Sequence, residues 1–305
     1  MKPRCQSLLV GLLVCGASIA VAETLTIATY NVENYVAADR MTDGGYRKDY
    51  PKPELEKHAL RSVIREIAAD ILVLQEMGPK PYLDELQRDL KGEGIDYPYA
   101  GLASAADADR HVAILSRRPL KSVATHMDLT FTYFNAKEVV KRGMLEVTVA
   151  TEDGDFTIFA VHLKSRITER PDDPMCAIRR AGEATAIRDA VLKKFPNPAG
   201  AQFLILGDCN DAKSSKALDH LQKRGKTDIA SLLPAADSRG ESWTHHYRRD
   251  DTYTRVDHIL VSPGLRPAVQ GESARIFDRD GVREASDHRP VAVTMVLGEK
   301  NKAGP

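Results

Sequence analysis

The chain has 305 residues, of which 43% are hydrophobic and 28% charged, the balance of a soluble globular protein with one large domain or two ordinary ones. Collagen-like, disordered and polytopic membrane classes are excluded on that ground. Lys plus Arg and Asp plus Glu both number 43, so the formal net charge is zero; this excludes a coat protein that holds nucleic acid by excess cations alone.

Lys2 and Arg4 precede an apolar run at 7–22, SLLVGLLVCGASIAVA, which ends Ala20-Val21-Ala22 before Glu23. This is the layout of a secretory signal peptide, and the run is short for a membrane span; an uncleaved anchor helix is the other reading. Cleavage leaves a domain at 23–298 and an unstructured tail at 299–305. It leaves 41 basic against 43 acidic side chains, and Cys176 and Cys209 as the only cysteines. In an exported protein these two either pair or stay as buried thiols.

Beyond Glu23, the alternation in 24–32 predicts a strand. Leu60, Val63, Ile64 and Ile67 lie on one face of a helix over 54–69. The apolar run 70–77 predicts a strand buried on both faces, and 81–90 a helix with proline at its start. Strands follow at 111–117, 144–150 and 156–164, then a helix at 176–194. A buried strand at 202–210, a short helix at 215–223 and strands at 254–262 and 289–297 complete the order. Residues 37–53 and 165–175 read as long charged loops that face a substrate. No segment has linker composition and no exposed apolar hairpin is evident. The expected architecture is one domain of two sheets covered by helices.

Several of these strands end in a polar side chain: Asn31, Gln75-Glu76, His162 and Asp208 with Asn210. A later segment holds Asp257-His258, and Ser286-Asp287-His288 stands just before the last strand. One such residue is ordinarily a cap or turn; the recurrence points to a shared edge. Two carboxylates about 4 Å apart repel by roughly 4 kcal/mol at an effective dielectric of 20, so a cluster of them calls for a cation or a proton. Carboxylate and amide oxygens suit Mg²⁺, Mn²⁺ or Ca²⁺, and the distant cysteines lack zinc spacing. Beside such a cation, imidazoles oriented by carboxylates suit attack of water on phosphorus.

Taken in order, TIATYNVEN, DILVLQEM, FAVHLKSR, LILGDCND, RVDHILVS and ASDHRPV resemble the endonuclease/exonuclease/phosphatase superfamily over residues 25–297. The resemblance implies an α/β four-layered sandwich, with two mixed β-sheets packed face to face and helices outside. It implies that Glu76 is the principal metal ligand, with Asn31 beside it and Asp287 binding or supporting the metal. Asp208 matches the residue that orients or deprotonates the attacking water, and Asn210 the one that binds the phosphate. His288 would contact the scissile phosphate, oriented by Asp257, and His162 would protonate the leaving oxygen. Arg142 resembles a phosphate-contacting arginine; a solvated charge beside Lys137 and Lys141 is the other reading.

Three places depart from the family pattern. Some members pair the second histidine with an acid near the start of the 111–117 strand; here Asp109 is close, but Arg110 and His111 stand nearest. Cys209 occupies an ordinarily apolar position. His245 and His246 read as exposed loop histidines. The implied activity is that of a secreted or periplasmic metal-dependent phosphodiesterase, a DNA or RNA endonuclease in the first instance. HLKSR and the cations Arg40, Arg47, Lys48, Lys164 and Arg166 favour nucleic acid. The balanced charge favours the alternative, a phosphatase or phospholipase-type enzyme on small or lipid phosphate esters. A non-enzymatic scaffold is set aside, because every motif residue is present. The implied cofactor is Mg²⁺, with Mn²⁺ or Ca²⁺ possible. A monomer is expected, with no stable protein partner and no integral membrane association after cleavage.

Overall fold

The structure, a computed structural model, describes residues 23–298 apart from 43, 152, 153 and 169; the expected signal at 1–22 and tail at 299–305 lie outside the described residues. The alternation predicted for the first segment forms β1 (Glu23–Tyr35), with Leu25 and Ile27 on one face and Ala28 and Tyr30 on the other. The segment read as a loop at 37–53 is instead largely a hairpin of β2 (Ala38–Thr42) and β3 (Gly45–Tyr50). Its charged composition hides the pairing, whereas the glycine pair Gly44-Gly45 is the turn signal such a hairpin needs. Met41 pairs with Tyr46 across it, and both stay exposed, at 79% and 62%. They are two apolar side chains on a hairpin that is otherwise charged.

Helix α1 (Glu54–Ile67) buries Leu60, Val63, Ile64 and Ile67, the predicted face. After it come β4 (Ile71–Met77), α2 (Lys80–Gly92), β5 (Tyr99–Leu102), β6 (His111–Ser116) and β7 (Leu120–His126). A hairpin of β8 (Thr130–Tyr133) and β9 (Ala136–Val139) precedes β10 (Met144–Val149) and β11 (Phe156–His162). Then come α3 (Ala177–Lys194), β12 (Phe203–Asp208) and α4 (Lys216–Gln222). Four two-residue strands follow, β13 (Lys223–Arg224), β14 (Thr227–Asp228), β15 (Ser231–Leu232) and β16 (Ala235–Ala236). The hairpin β17 (His245–Tyr247) and β18 (Thr252–Thr254) leads to β19 (Asp257–Val261), β20 (Ala274–Ile276), α5 (Val282–Ala285) and β21 (Val291–Leu297).

Seven strands form one sheet in the order β16-β20-β21-β1-β4-β6-β5, and six form another, β15-β19-β12-β11-β10-β7. Both are mixed: β1 runs parallel to β4 and antiparallel to β21, and β11 runs parallel to β12 and antiparallel to β10. Ile27, Val73, Ile114, Ile158, Leu206 and Val293 belong to the core between the facing sheets. The outer side of the first sheet is covered by α1 and α2 through Leu60 and Leu83. The outer side of the second is covered by α3 and α4 through Ile187 and Leu218. The result is the expected four-layered sandwich. Cys176 and Cys209 are both free and buried, so the choice left open by the sequence falls to two thiols. No described helix is long and apolar enough to cross a membrane.

Candidate active site

Strand register assembles the site. His162 lies opposite Asp208 in the parallel pair β11–β12, and Asp208 lies opposite Asp257 in the antiparallel pair β12–β19. Three polar side chains thus stand at one level on three neighbouring strands. From the facing sheet, Asn31, where the regular pairing of β1 with β4 ends, crosses the gap, and its Nδ2 donates to Asp208 Oδ2 at 3.0 Å. Asn210 Nδ2 donates to the same oxygen at 3.1 Å, and its backbone N–H to Asp208 Oδ1 at 2.8 Å. His162 Nε2 lies 3.6 Å from Asp208 Oδ2 and 4.0 Å from Glu76 Oε1.

His288 closes the other side. Its Nδ1–H donates to Asp257 Oδ2 at 2.9 Å, while Nε2 lies 3.9 Å from both Asp208 and Asp287. Ser286 fixes this turn: its hydroxyl donates to Asn31 O at 2.8 Å and accepts from His288 N at 3.0 Å. Thr244 Oγ1 in turn accepts from the N–H groups of Val256 and Asp257, fixing the strand that carries Asp257.

The electrostatics divide the site in two. On the acidic side, burial opposes a charge on His288, yet Asp257, Asp208 and Asp287 hold its imidazole protonated well above the usual range. Burial, with repulsion from Asp257, lifts the Asp208 carboxyl to about 6. On the other side, burial together with Arg142, His288, Arg110 and Lys164 pushes His162 well below its usual range, so it is neutral.

Several side chains are not where sequence patterns place them. The buried acid before β6 is Asp107, not Asp109, and it accepts from Arg142 Nε at 3.2 Å instead of supporting His162. His162 Nδ1 has no hydrogen-bond partner among the described residues. Arg142 is buried, with Nη1 donating to Leu163 O at 3.2 Å, so the solvated-charge reading does not hold. His245 is not a free loop histidine: its ring centroid is 4.5 Å from that of His288, and its Nε2 lies 3.6 Å from Asp287. His246 sits one residue further along, stacked on Tyr253 and bonded to Asp251. Glu33, which lies within TIATYNVEN but is given no role by the resemblance, accepts from Asp287 N at 2.9 Å, and burial with Asp287 nearby raises its carboxyl. Only its sequence position, two residues past Asn31, hinted at it.

The donor set fits a hard divalent cation. Asp208, Asp257 and Asp287 surround the His288 imidazolium, Glu33 accepts from Asp287 N, and Glu76 lies 4.0 Å from His162; Asp208 and Glu33 are lifted by burial and repulsion. Oxygen donors of this kind suit Mg²⁺, Mn²⁺ or Ca²⁺. Two groups, His245–Asp287–His288 and Asp208–Asp257–His288, bring their donor atoms close together; with His288 protonated, the carboxylates and His245 are the members with lone pairs for an ion.

Arg289 anchors the His288 turn. It is buried, Nη2 donates to Asp237 Oδ2 at 2.6 Å, and its guanidinium lies 4.0 Å over Trp243. Burial opposes the Asp237 charge, but Arg289 and the N–H groups of Glu241 and Arg239 hold its carboxyl far below the usual range. We expect Asp237→Ala to cost about 2–3 kcal/mol, the low end for a broken buried pair because this one lies just under the surface. A lowered folded-state pKa means stability that is present above the unfolded carboxylate range, near pH 4, and lost as pH falls through the folded value. Asp237→Asn should therefore flatten the acid limb of a melting-temperature profile measured by calorimetry; an unchanged limb would remove this role.

A model of the Endonuclease/Exonuclease/phosphatase family matches residues 28–288. Among solved structures, the human Nocturnin catalytic domain with bound sulfate is similar at 16% identity and TM-score 0.62, over 90% of this chain and 98% of that one. Sphingomyelinase C from Streptomyces griseocarneus is similar at 17% identity and TM-score 0.59, over 90% and 100%. A mutant beta toxin from Staphylococcus aureus with bound magnesium ions is similar at 15% identity and TM-score 0.58, over 89% and 99%. At these identities the likeness is one of fold. No curated protein matches the chain.

Proposed function

The chain belongs to the endonuclease/exonuclease/phosphatase family and is a metal-dependent phosphoester hydrolase; from that premise, we propose that it is an exported phosphodiesterase that cuts DNA or RNA. Residues 23–298 act as one catalytic domain, released by removal of 1–22, with 299–305 as a tail. The enzyme works outside the cell or in the periplasm, as a monomer.

One observation carries the chemistry: the line of His162, Asp208 and Asp257 across neighbouring strands, closed by the His288–Asp257 bond. Asn31, Glu76 and Asp287 would hold the cation, Mg²⁺ first, which when bound supplies charge against the phosphate oxygens. Asp208 takes the proton of the attacking water, its carboxylate held in place by Asn31 and Asn210. A carboxyl lifted to about 6 is a better base than an ordinary one. Protonated His288, with Asn210, holds the phosphate and stabilises charge as the new P–O bond forms. The leaving oxygen takes its proton from His162, which needs the negative phosphate nearby to offset the burial and the cations that keep it neutral. Arg142 commits Nε and Nη1 to Asp107 and Leu163 and keeps Nη2 for a phosphate oxygen.

Nucleic acid is favoured by the cations on the rim. Arg40 and Arg110 bond to Asn34, Arg166 to Asn210 O, and Arg248 to Glu33. They can hold several phosphates of one strand. The alternative, a lipid phosphodiester, is favoured by the exposed Met41 and Tyr46. Purified protein with Mg²⁺, Mn²⁺ or Ca²⁺ should be assayed on plasmid DNA, RNA, bis-p-nitrophenyl phosphate, inositol phosphates and sphingomyelin. Turnover of monoesters alone would end the nuclease reading, and N-terminal sequencing of exported protein should begin near Glu23.

The hairpin offers a separate prediction. Replacing 39–49 with a tight turn is expected to change preference among these substrates while leaving the melting temperature within a few degrees, because its outer residues are exposed. Lys52 must stay: it is buried and bonds Glu33 O and Glu56. A collapsed melting temperature with unchanged preference would show the hairpin to be structural.

A further inference from the structure

A second cleft, of about 410 Å³, opens beside the His288 turn. Its walls bring together Arg239, Arg279, Arg283, Arg289 and Trp243, the only tryptophan in the chain. Two of these arginines are already paired: Arg289 with Asp237, and Arg239 with Asp237 and Glu241. Arg279 and Arg283 are exposed, and among the described residues neither has a carboxylate within 4.0 Å. The walls also carry Asp278, Asp280 and Glu284. Asp278 is turned toward Ser238, whose N–H and hydroxyl donate to it.

Trp243 is held rigidly at this cleft. Arg289 covers its ring, Tyr253 meets it edge-on at 4.9 Å, and its Nε1 donates to Glu241 at 2.9 Å. The indole is nevertheless half-buried, not enclosed. A fixed aromatic beside two unpaired guanidiniums matches the two halves of a nucleotide: base against ring, phosphate against arginine. The cleft also lies next to the active site. A small cavity of about 20 Å³ shares Trp243, Arg283 and Arg289 with it and is lined by His246, Arg248 and Asp287 as well.

We infer that this cleft seats a nucleotide flanking the phosphodiester that the enzyme cuts. The inference rests on the nucleic-acid reading and sharpens it: a lipid or sugar phosphodiester has no base to lay on Trp243. It assigns substrate selection to residues outside the catalytic line.

The test uses the full chain with Mg²⁺, an Arg279→Ala/Arg283→Ala double variant, and two substrates. One is a single-stranded oligonucleotide of about six nucleotides, long enough to reach the cleft; the other is bis-p-nitrophenyl phosphate, which carries no nucleotide. The double variant is expected to raise KM for the oligonucleotide about tenfold, the effect of losing one modest phosphate or stacking contact. Its kcat, and its turnover of bis-p-nitrophenyl phosphate, should stay within about twofold of wild type. A phosphorothioate oligonucleotide should quench the single tryptophan of the wild type, with a midpoint about tenfold higher in the variant. If both proteins cut the oligonucleotide with the same KM and the same quenching midpoint, the cleft is not a subsite. If the wild type neither binds nor cuts it but hydrolyses bis-p-nitrophenyl phosphate, the nucleic-acid reading falls, and this inference with it.

Discussion

Replacing His288 with alanine is expected to lower kcat on a phosphodiester by roughly 10²–10⁴-fold, the scale of losing a positioned acid or charge-bearing imidazole. His288 is the group that couples both halves of the site: Nδ1 is held by Asp257 and Nε2 faces Asp208 and Asp287. Because the alanine leaves buried Asp257 without its donor, part of the loss could come from folding. His288→Gln separates the two, since it keeps a donor near Asp257; it should lose similar activity with a smaller drop in melting temperature. The pH profile carries the same logic. His288 has a raised pKa and acts protonated, so activity should fall as pH rises through that value. Asp257→Asn removes the first charge that raises it and should move this basic limb to lower pH. Asp208 acts ionised, so activity should rise with pH as this carboxyl, lifted to about 6 before a cation binds, loses its proton, and the bound cation should place that acid limb at lower pH. Equal turnover by wild type and His288→Ala on every substrate would remove His288 from the chemistry.

Gly207→Ala is expected to be the most damaging change to the fold, costing roughly 3–5 kcal/mol and lowering the melting temperature by roughly 10 °C. Gly207 sits inside β12 at φ +146°, and a Cβ there would meet Val161 O at 1.9 Å. The obstacle is backbone of the neighbouring strand β11, so no side chain can move aside. Relief would require β11 and β12 to separate where they carry His162 and Asp208. Activity measured well below the melting temperature should therefore fall as well. A variant with the wild-type melting temperature would mean that the two strands do not approach this closely.

The glycine illustrates how much of this site could be read before the fold. A lone glycine within the apolar run LILGD signals a close backbone approach in a strand, and the apolar runs ending in His162 and Asp208 put those groups at strand ends. The helix face of Leu60, Val63, Ile64 and Ile67 was equally plain, because a period of 3.6 is written in adjacent residues. The hairpin at 38–50 was not, since charged residues interrupt its alternation. Nor was the position of His245, which reaches His288 only because β17 folds back against the last strand's entry.

The pairing of charges followed the same division. Sequence order placed Asp109 close to the position of an acidic partner for His162, with Arg110 and His111 nearest, but the chain buries Asp107, and Arg142 takes it. Glu33 joins the acidic side through the irregular last part of β1, where it and Asn34 adopt positive φ. By itself the sequence determined the strand and helix periods, the sandwich they build, and the chemical kinds of residue gathered at its edge. Only the tertiary structure decided which acid meets which cation, that both thiols stay free, and that a tryptophan cleft adjoins the site. Periodicity acts between near neighbours in the chain. Ion pairing in a low-dielectric interior depends on segments that meet only after folding, where displacement by one side chain changes the partner.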